Sequence, residues 1–298
     1  MKSERAAFFD EAIVSGPGQK EFEERIYAES QAKHWPRVPE GTGTFDGQVA
    51  IVTGAAGGQG EIEAKMFAQQ GAKVYMVDVV EEGLKRVEAN ILADGGEAVA
   101  VVMDVADEEG WQNLVARIKE ECGRLDVLVN NAGICQNGSV LTETRESLER
   151  IMDVDCWGVF NGMHYCAPSI IESGGGAIVN TCSYQGTHFG PGNFVGYAMA
   201  KAAAMGMTRA AATDLGALGV RVNSVNPGLI LSGMTLPRGQ NRKGLCDASS
   251  LKRYGMPEEI ASVVLFLASD DASFINGEFI SADGGATTYL HLATADKN

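Results

Sequence analysis

A chain of 298 residues with 45% hydrophobic side chains can bury a sizeable core and is too apolar for disorder. Its formal net charge of −15 excludes a broad basic face for nucleic acid and argues against an anionic membrane surface as partner. The six cysteines (Cys122, Cys135, Cys156, Cys166, Cys182, Cys246) show neither C-x-x-C pairs nor zinc-like spacing, so no metal site is expected. No run approaches the roughly 20 apolar residues of a membrane span, and residues 1–10 make a poor signal peptide. The expectation is a cytoplasmic protein with reduced thiols.

Residues 1–46 mix charge with Phe8, Phe9, Phe22, Tyr27 and Trp35 and end in a Pro- and Gly-bearing run. They read as an N-terminal arm, with one helix over Glu21–Lys33, that docks on the domain or on a neighbouring subunit. From Gly47 to residue 288 the pattern is that of one domain in which strands and helices alternate, and residues 289–298 read as a tail. Strands are predicted at Val49–Thr53, Lys73–Asp78, Ala98–Asp104, Val127–Asn130, Ala177–Asn180, Arg221–Asn226 and Glu278–Ala282. Helices are predicted after the first strand to about Gln70, then over Glu81–Ala93, Glu108–Cys122, Arg145–Glu172, Tyr197–Leu218 and Pro257–Ser269. Strands that are apolar throughout and separated by helices imply an α/β fold: a Rossmann-type, doubly wound, seven-stranded parallel sheet with helices on both faces. Ligands bind such sheets at the carboxyl ends of the strands, beside the switch in winding direction.

The turn Thr53-Gly54-Ala55-Ala56-Gly57-Gly58-Gln59-Gly60 joins the first strand to the first helix. A dinucleotide's pyrophosphate must come close to backbone N–H groups at the positive end of a helix, and side chains there would block it. A glycine-rich turn alone is a weak signal. Here a strand precedes it, a helix follows it, and Asp78 ends the next strand at the distance expected of a ribose-binding acid. Asp78 would accept from a ribose 2′-OH and repel a 2′-phosphate, which favours NAD(H) over NADP(H).

With these elements assembled, the chain resembles the short-chain dehydrogenase/reductase family over roughly residues 47–285. The resemblance rests on the Thr-Gly-x-x-x-Gly-x-Gly turn, Asp104-Val105, Asn130-Asn131-Ala132-Gly133, Ser183, Tyr197-x-x-x-Lys201, Asn226-Pro227-Gly228 and Asp283-Gly284-Gly285, which stand in family order. Each is modest alone; together they are specific. The resemblance implies that Asp104 and Val105 contact the adenine and Asn131 the adjoining ribose. It further implies that the Ile230 backbone holds the nicotinamide amide, with Ser232 keeping the hydroxyl of the family's usual Thr.

Reducing a ketone requires a hydride and a proton for the developing alkoxide. Tyr197 and Lys201, at i and i+4, share a helical face, so the ammonium and an oxidised nicotinamide would lower the phenol's pKa from about 10. Tyr197 is the expected acid/base, Lys201 would also bind the nicotinamide ribose, and Ser183 would polarise the substrate oxygen. Cys182, beside that serine, reads as a buried small hydrophobe in preference to a reactive thiol. One departure stands out: Asp155 occupies the position of the family's fourth catalytic residue, an Asn on helix four. Its charge is expected either to hold Lys201 protonated more firmly or to offset the lysine's pull on Tyr197. Gln59 also replaces an apolar residue between two glycines.

Residues 231–254, after the sixth strand, are expected to form a substrate lid. Met234, Leu236, Leu245 and Leu251 suggest an apolar pocket, with Arg238, Arg242 and Lys243 facing solvent or a polar group. His188, Phe189 and Phe194 are expected on the opposite wall. The function so implied is hydride transfer between NAD(H) and a secondary alcohol or ketone, cyclic or aromatic, steroid-like or polyphenol-like. Family members usually assemble as homo-oligomers, so a tetramer or dimer is expected. Three rivals remain: an NAD-binding regulator without chemistry, a 3-oxoacyl-type reductase, and a sugar-nucleotide epimerase. The glycine spacing and the short segment after Pro227 disfavour the last.

Overall fold

The computed structural model describes residues 43–186, 192–233, 235 and 249–288; the arm helix and the tail lie outside these residues. In chain order the main elements are β1 (Val49–Thr53), α1 (Gly58–Gln69), β2 (Lys73–Asp78), α2 (Glu81–Ala93), β3 (Glu97–Val102), α3 (Glu108–Cys122) and β4 (Val127–Asn130). There follow α4 (Arg145–Met152), a π-helical turn (Asp153–Trp157), α5 (Gly158–Glu172), β5 (Gly176–Thr181), α6 (Val195–Gly216), β6 (Val220–Pro227), α7 (Pro257–Ala268) and β7 (Phe279–Ala282).

The seven strands form one parallel sheet in the order β3-β2-β1-β4-β5-β6-β7, as the alternating pattern implies. Every residue of β1 and β4 is buried because successive side chains point to opposite covered faces. Ala50 and Val52 pack with Phe67, Leu84 and Val264 on the side of α1, α2 and α7. Val49 and Ile51 pack with Trp111, Ile118 and Ile170 on the side of α3 and α5. Winding reverses between β1 and β4, which leaves a crevice at their carboxyl ends.

Local signals explain where the helices begin and end. Asp107 caps α3 by accepting from Glu109 N–H at 3.1 Å, and Gly123 ends it in the left-handed region at φ +70°. Thr144 caps α4, and Pro257 opens α7 while Glu259 reaches back to Met256 N–H at 2.9 Å.

Two differences from the expected elements bear on the site. The strand expected to reach Asp104 ends at Val102, and Asp104 turns to accept from Ala106 N–H at 3.0 Å. The single helix expected over 145–172 is interrupted by the π-helical turn, which carries Asp155. One inserted residue shifts the phase of the apolar pattern but leaves the helical composition of the run unchanged, so the stretch still reads as one helix.

Glu63 is a core residue that α1 carries on its buried stripe with Gly60, Ala64 and Phe67. It is wholly buried and neither carboxylate oxygen has a hydrogen-bond partner among the described residues, so burial pushes its pKa up to about 8. A folded-state pKa above the unfolded one stabilises the fold fully below the unfolded value, and that contribution is lost as pH rises towards 8. Glu63→Gln is therefore expected to flatten the pH dependence of stability. At pH 9 its thermal midpoint should exceed the wild type's by at least about 5 °C, with the gap closing towards pH 5; parallel melting curves across that range would refute the assignment.

Candidate active site

A cavity of about 470 Å³ opens along the carboxyl ends of β1, β4, β5 and β6. Its walls bring together Gly54, Gly57, Gly58, Gln59, Asp78 and Asn131 at one end with Ser183, Tyr197, Lys201, Ile230 and Ser232 at the other.

The glycines of the turn serve two different ends. Gly54 and Gly58 take φ of +68° and +59°, which L side chains rarely adopt. A Cβ at Gly54 would stand 2.9 Å from Asn131 Nδ2 and Ala132 Cα, and one at Gly60 would collide with the Gly54 carbonyl. These two glycines let α1 pack against the ends of β1 and β4. Among the described residues, a Cβ at Gly57 would meet nothing within 4 Å, and one at Gly58 only Ser232 Cβ at 3.8 Å. Packing among these residues does not require those two, and the space they leave belongs to the cavity. That open cradle at a helix N-terminus fits a dinucleotide pyrophosphate.

Asp78 is fixed beside the glycine turn: Oδ2 accepts from Ala56 N–H and Oδ1 from Val80 N–H, each at 3.0 Å. Asn131 braces the framework, its Nδ2 donating to Thr53 O at 2.9 Å while its own N–H donates to Thr53 Oγ1 at 2.9 Å. Asp104 and Val105, expected at the adenine, do not line this cavity. Arg150 holds Asp104 Oδ2 at 3.3 Å, and Val105 is buried, with its carbonyl accepting from Trp111 Nε1 at 2.9 Å. Ile230 is buried and its carbonyl accepts from Thr235 Oγ1 at 2.6 Å; Ser232 N–H donates to the same hydroxyl at 3.0 Å.

The reacting end is organised around a buried cation. Lys201 is 2% exposed. Its Nζ donates to Thr181 O at 3.0 Å and lies 3.1 Å from Asp155 Oδ2. Asp155 is fully buried, and its Oδ1 accepts from Ile134 N–H at 2.7 Å. Gly133 makes room for the pair, since a Cβ there would stand 2.9 Å from Asp155 Oδ2 and 3.1 Å from Lys201 Nζ. Burial alone would lower the lysine's pKa, but Asp155 chief among its neighbours raises it above the ordinary value, so Lys201 is an ammonium. Burial also pushes the Asp155 carboxyl upward, against the pull of Lys201.

Lys201 Nζ lies 5.6 Å from the Tyr197 ring centroid. The expected lowering of the phenol's pKa is not reached by the protein alone. Burial pushes it up to about 12, Lys201 and a hydrogen bond with Ser183 pull it down, and Asp155 and Cys135 push it up. The Asp155 charge acts to raise Lys201 and, in the opposite sense to the lysine, to raise Tyr197. Asp155 does not line the cavity and acts through Lys201. Cys182 is 2% exposed with its thiol pushed up to about 11 by burial, as a packed small hydrophobe should be.

Phe194 lines the cavity as expected, as does Tyr254 at the end of the expected lid; Cys135, Tyr184 and Gln185 join them with no sign of this in the sequence. Leu251, assigned to the substrate wall, is instead 59% exposed and borders a neighbouring cavity of about 230 Å³. His188, Phe189, Met234, Leu236, Arg238, Arg242, Lys243 and Leu245 lie outside the described residues. A polar seam also went unforeseen: Asn130 Nδ2 donates to Asn180 Oδ1, and Asn180 Nδ2 to Thr208 Oγ1, each at 2.9 Å.

A family model described as enoyl-(acyl carrier protein) reductase matches residues 54–287. The meso-2,3-butanediol dehydrogenase of Serratia marcescens is 41% identical over 244 residues, covering 82% of this chain and 96% of the relative. The cyclohexanol dehydrogenase of an Acinetobacter species is 39% identical over 247 residues, covering 82% and 96%. The crystal structure of levodione reductase superposes with a TM-score of 0.79 at 34% identity, covering 83% of this chain and all of that one. A glycine cradle, an acid at the end of β2 and a Ser-Tyr-Lys group facing one crevice agree with these likenesses. The chain belongs to the short-chain dehydrogenase/reductase family, oxidoreductases that act on CH–OH groups with a nicotinamide cofactor.

Proposed function

We propose that this protein is an NAD(H)-dependent dehydrogenase and ketone reductase for cyclic secondary alcohols, with Tyr197 as acid/base. The observation that carries the reading is the buried Lys201 ammonium beside Tyr197 and Ser183 at the end of a cavity that begins at the glycine cradle. Asp78, with both oxygens oriented by backbone N–H groups, supports NAD(H) over NADP(H). The cyclohexanol dehydrogenase and butanediol dehydrogenase among the relatives support an alcohol substrate.

Bound nicotinamide would supply or accept the hydride at the substrate carbon. Tyr197 delivers its phenolic proton to the alkoxide oxygen in reduction and removes the hydroxyl proton in oxidation. Ser183 donates to the same oxygen and stabilises its developing charge. Lys201 favours the phenolate, and its remaining N–H is free of Thr181 and Asp155 to hold a ribose hydroxyl. Gly57, Gly58 and Gln59 present backbone to the pyrophosphate, Gly54 and Gly60 let the turn close tightly enough for them to do so, Asp78 reads the adenosine ribose, and Asn131 holds the turn against β4. Ile230 and Ser232 flank the nicotinamide end. Asp104 and Val105 would serve the adenine only from beyond the cavity wall, with Arg150 released from Asp104. Asp155 positions and charges Lys201. We place this chemistry in one domain over residues 47–288, working as a homotetramer or dimer in the cytoplasm. Exposed Trp157, Phe160 and Met199, on the π turn, α5 and α6, support subunit contact there.

Tyr197→Phe is expected to lower kcat for cyclohexanol oxidation by about 10³-fold while NADH still binds, as fluorescence titration would read; unimpaired turnover refutes the assignment. Asp155→Asn removes a charge that raises both Tyr197 and Lys201, so the alkaline-active limb of the oxidation pH–rate profile should shift to lower pH. An unshifted profile would assign Asp155 to packing alone.

A further inference from the structure

Selectivity at the adenosine end has a feature that the acid at the end of β2 does not explain. Ala56 lines the cavity. Its N–H donates to Asp78 Oδ2 at 3.0 Å, and its carbonyl accepts from Arg86 Nη2 at 3.1 Å. A carboxylate and a guanidinium therefore bind the two ends of one residue in the cofactor turn. Arg86 reaches this point because α2 approaches the turn closely. A Cβ at Gly83 would stand 2.7 Å from both Cβ and O of Ala56, and Arg86 lies three residues on, along the same helical face.

The guanidinium is already engaged by a second carboxylate. Glu61, on the first turn of α1, takes Arg86 Nη1 at 2.8 Å and Nη2 at 2.6 Å in a fork-to-fork pair. Glu61 is 13% exposed at its side chain and also accepts from Lys65 Nζ at 2.7 Å. Burial acts to raise its pKa, yet Arg86 and Lys65 together hold the carboxyl below its ordinary value, so it is ionised. Lys85, the other cation of α2, is paired with Glu81 at 2.6 Å.

A ribose 2′-phosphate is recognised by an arginine fork. We propose that Glu61 is a specificity-determining residue, which keeps Arg86 in an ion pair and so denies a 2′-phosphate the guanidinium beside Ala56. NAD(H) preference then has two sources: Asp78 repels the phosphate, and Glu61 neutralises the cation that would reward it. The charges of Asp78, Glu61, Lys65 and Arg86 cancel; without the Glu61 charge the group is left net positive, with Arg86 still tethered to the Ala56 carbonyl. This inference rests on the reading that the glycine turn and Asp78 hold the adenosine end of a dinucleotide.

The test is fluorescence titration of NADH and of NADPH against wild type, Glu61→Gln, Arg86→Ala and the double variant, with thermal melts to establish folding. Wild type should bind NADH more tightly than NADPH. Glu61→Gln should narrow that ratio about ten-fold, chiefly through tighter NADPH. Arg86→Ala should widen it, since Asp78, Glu61 and Lys65 then carry a net negative charge, and the double variant should lose the narrowing. A ratio unmoved by both single variants, or a narrowing that survives Arg86→Ala, overturns the proposal. If Glu61→Gln does not fold, the widening in Arg86→Ala decides alone. Failure of wild type to bind either nucleotide would instead overturn the dinucleotide reading itself.

Discussion

The structure at the reacting end depends on one buried ammonium. Lys201 reaches the crevice from α6 through a wall of apolar residues, where an unpaired charge would be costly. Two acceptors make its burial tolerable: the Thr181 carbonyl at the end of β5 and the Asp155 carboxylate from the π turn. Asp155 in turn is held by Ile134 N–H, just past β4. The lysine thereby fastens three segments, two of them at strand ends on the far side of the switch point. Charge neutrality inside the wall has a chemical cost, because the carboxylate that keeps the lysine charged also opposes ionisation of Tyr197. In the protein alone, burial outweighs the lysine's pull and the phenol stays above its ordinary value.

A second framework joins the strands where the crevice opens. The Thr53 hydroxyl accepts from the N–H groups of Asn131 and Ala132, tying β1 to the segment after β4. Deeper in, Asn130, Asn180 and Thr208 link β4, β5 and α6 through side chains that are all buried. Buried polar groups satisfied in this way fix one arrangement, since a shift of either strand would strand two amides without partners. The crevice is therefore shaped before any ligand arrives.

Much of this was legible from the chain. The seven strands were readable because each is a short apolar run between turn residues, and the order of motifs placed Ser183, Tyr197 and Lys201 on one crevice. The interruption at Asp153–Trp157 was not, since an inserted residue changes helical phase without changing composition. Leu251 was misassigned because an apolar residue in a loop carries no sign of which cavity it borders. Arg86 was not legible either, because its guanidinium comes from a helix later in the chain and meets the turn at the Ala56 carbonyl.

The π turn also constrains the length of the chain. Between α4 and α5 the helix is underwound, its π turn taking one residue more than regular winding needs. Removing any one residue from 153–157 would let regular winding close the gap with α4 and α5 still in phase. Val159, Met163 and Cys166 would keep their places against the sheet, while side chains within the turn would be redirected and the carboxylate drawn from the lysine. The extra residue is thus set by where Asp155 must stand, not by the two helix faces that flank it.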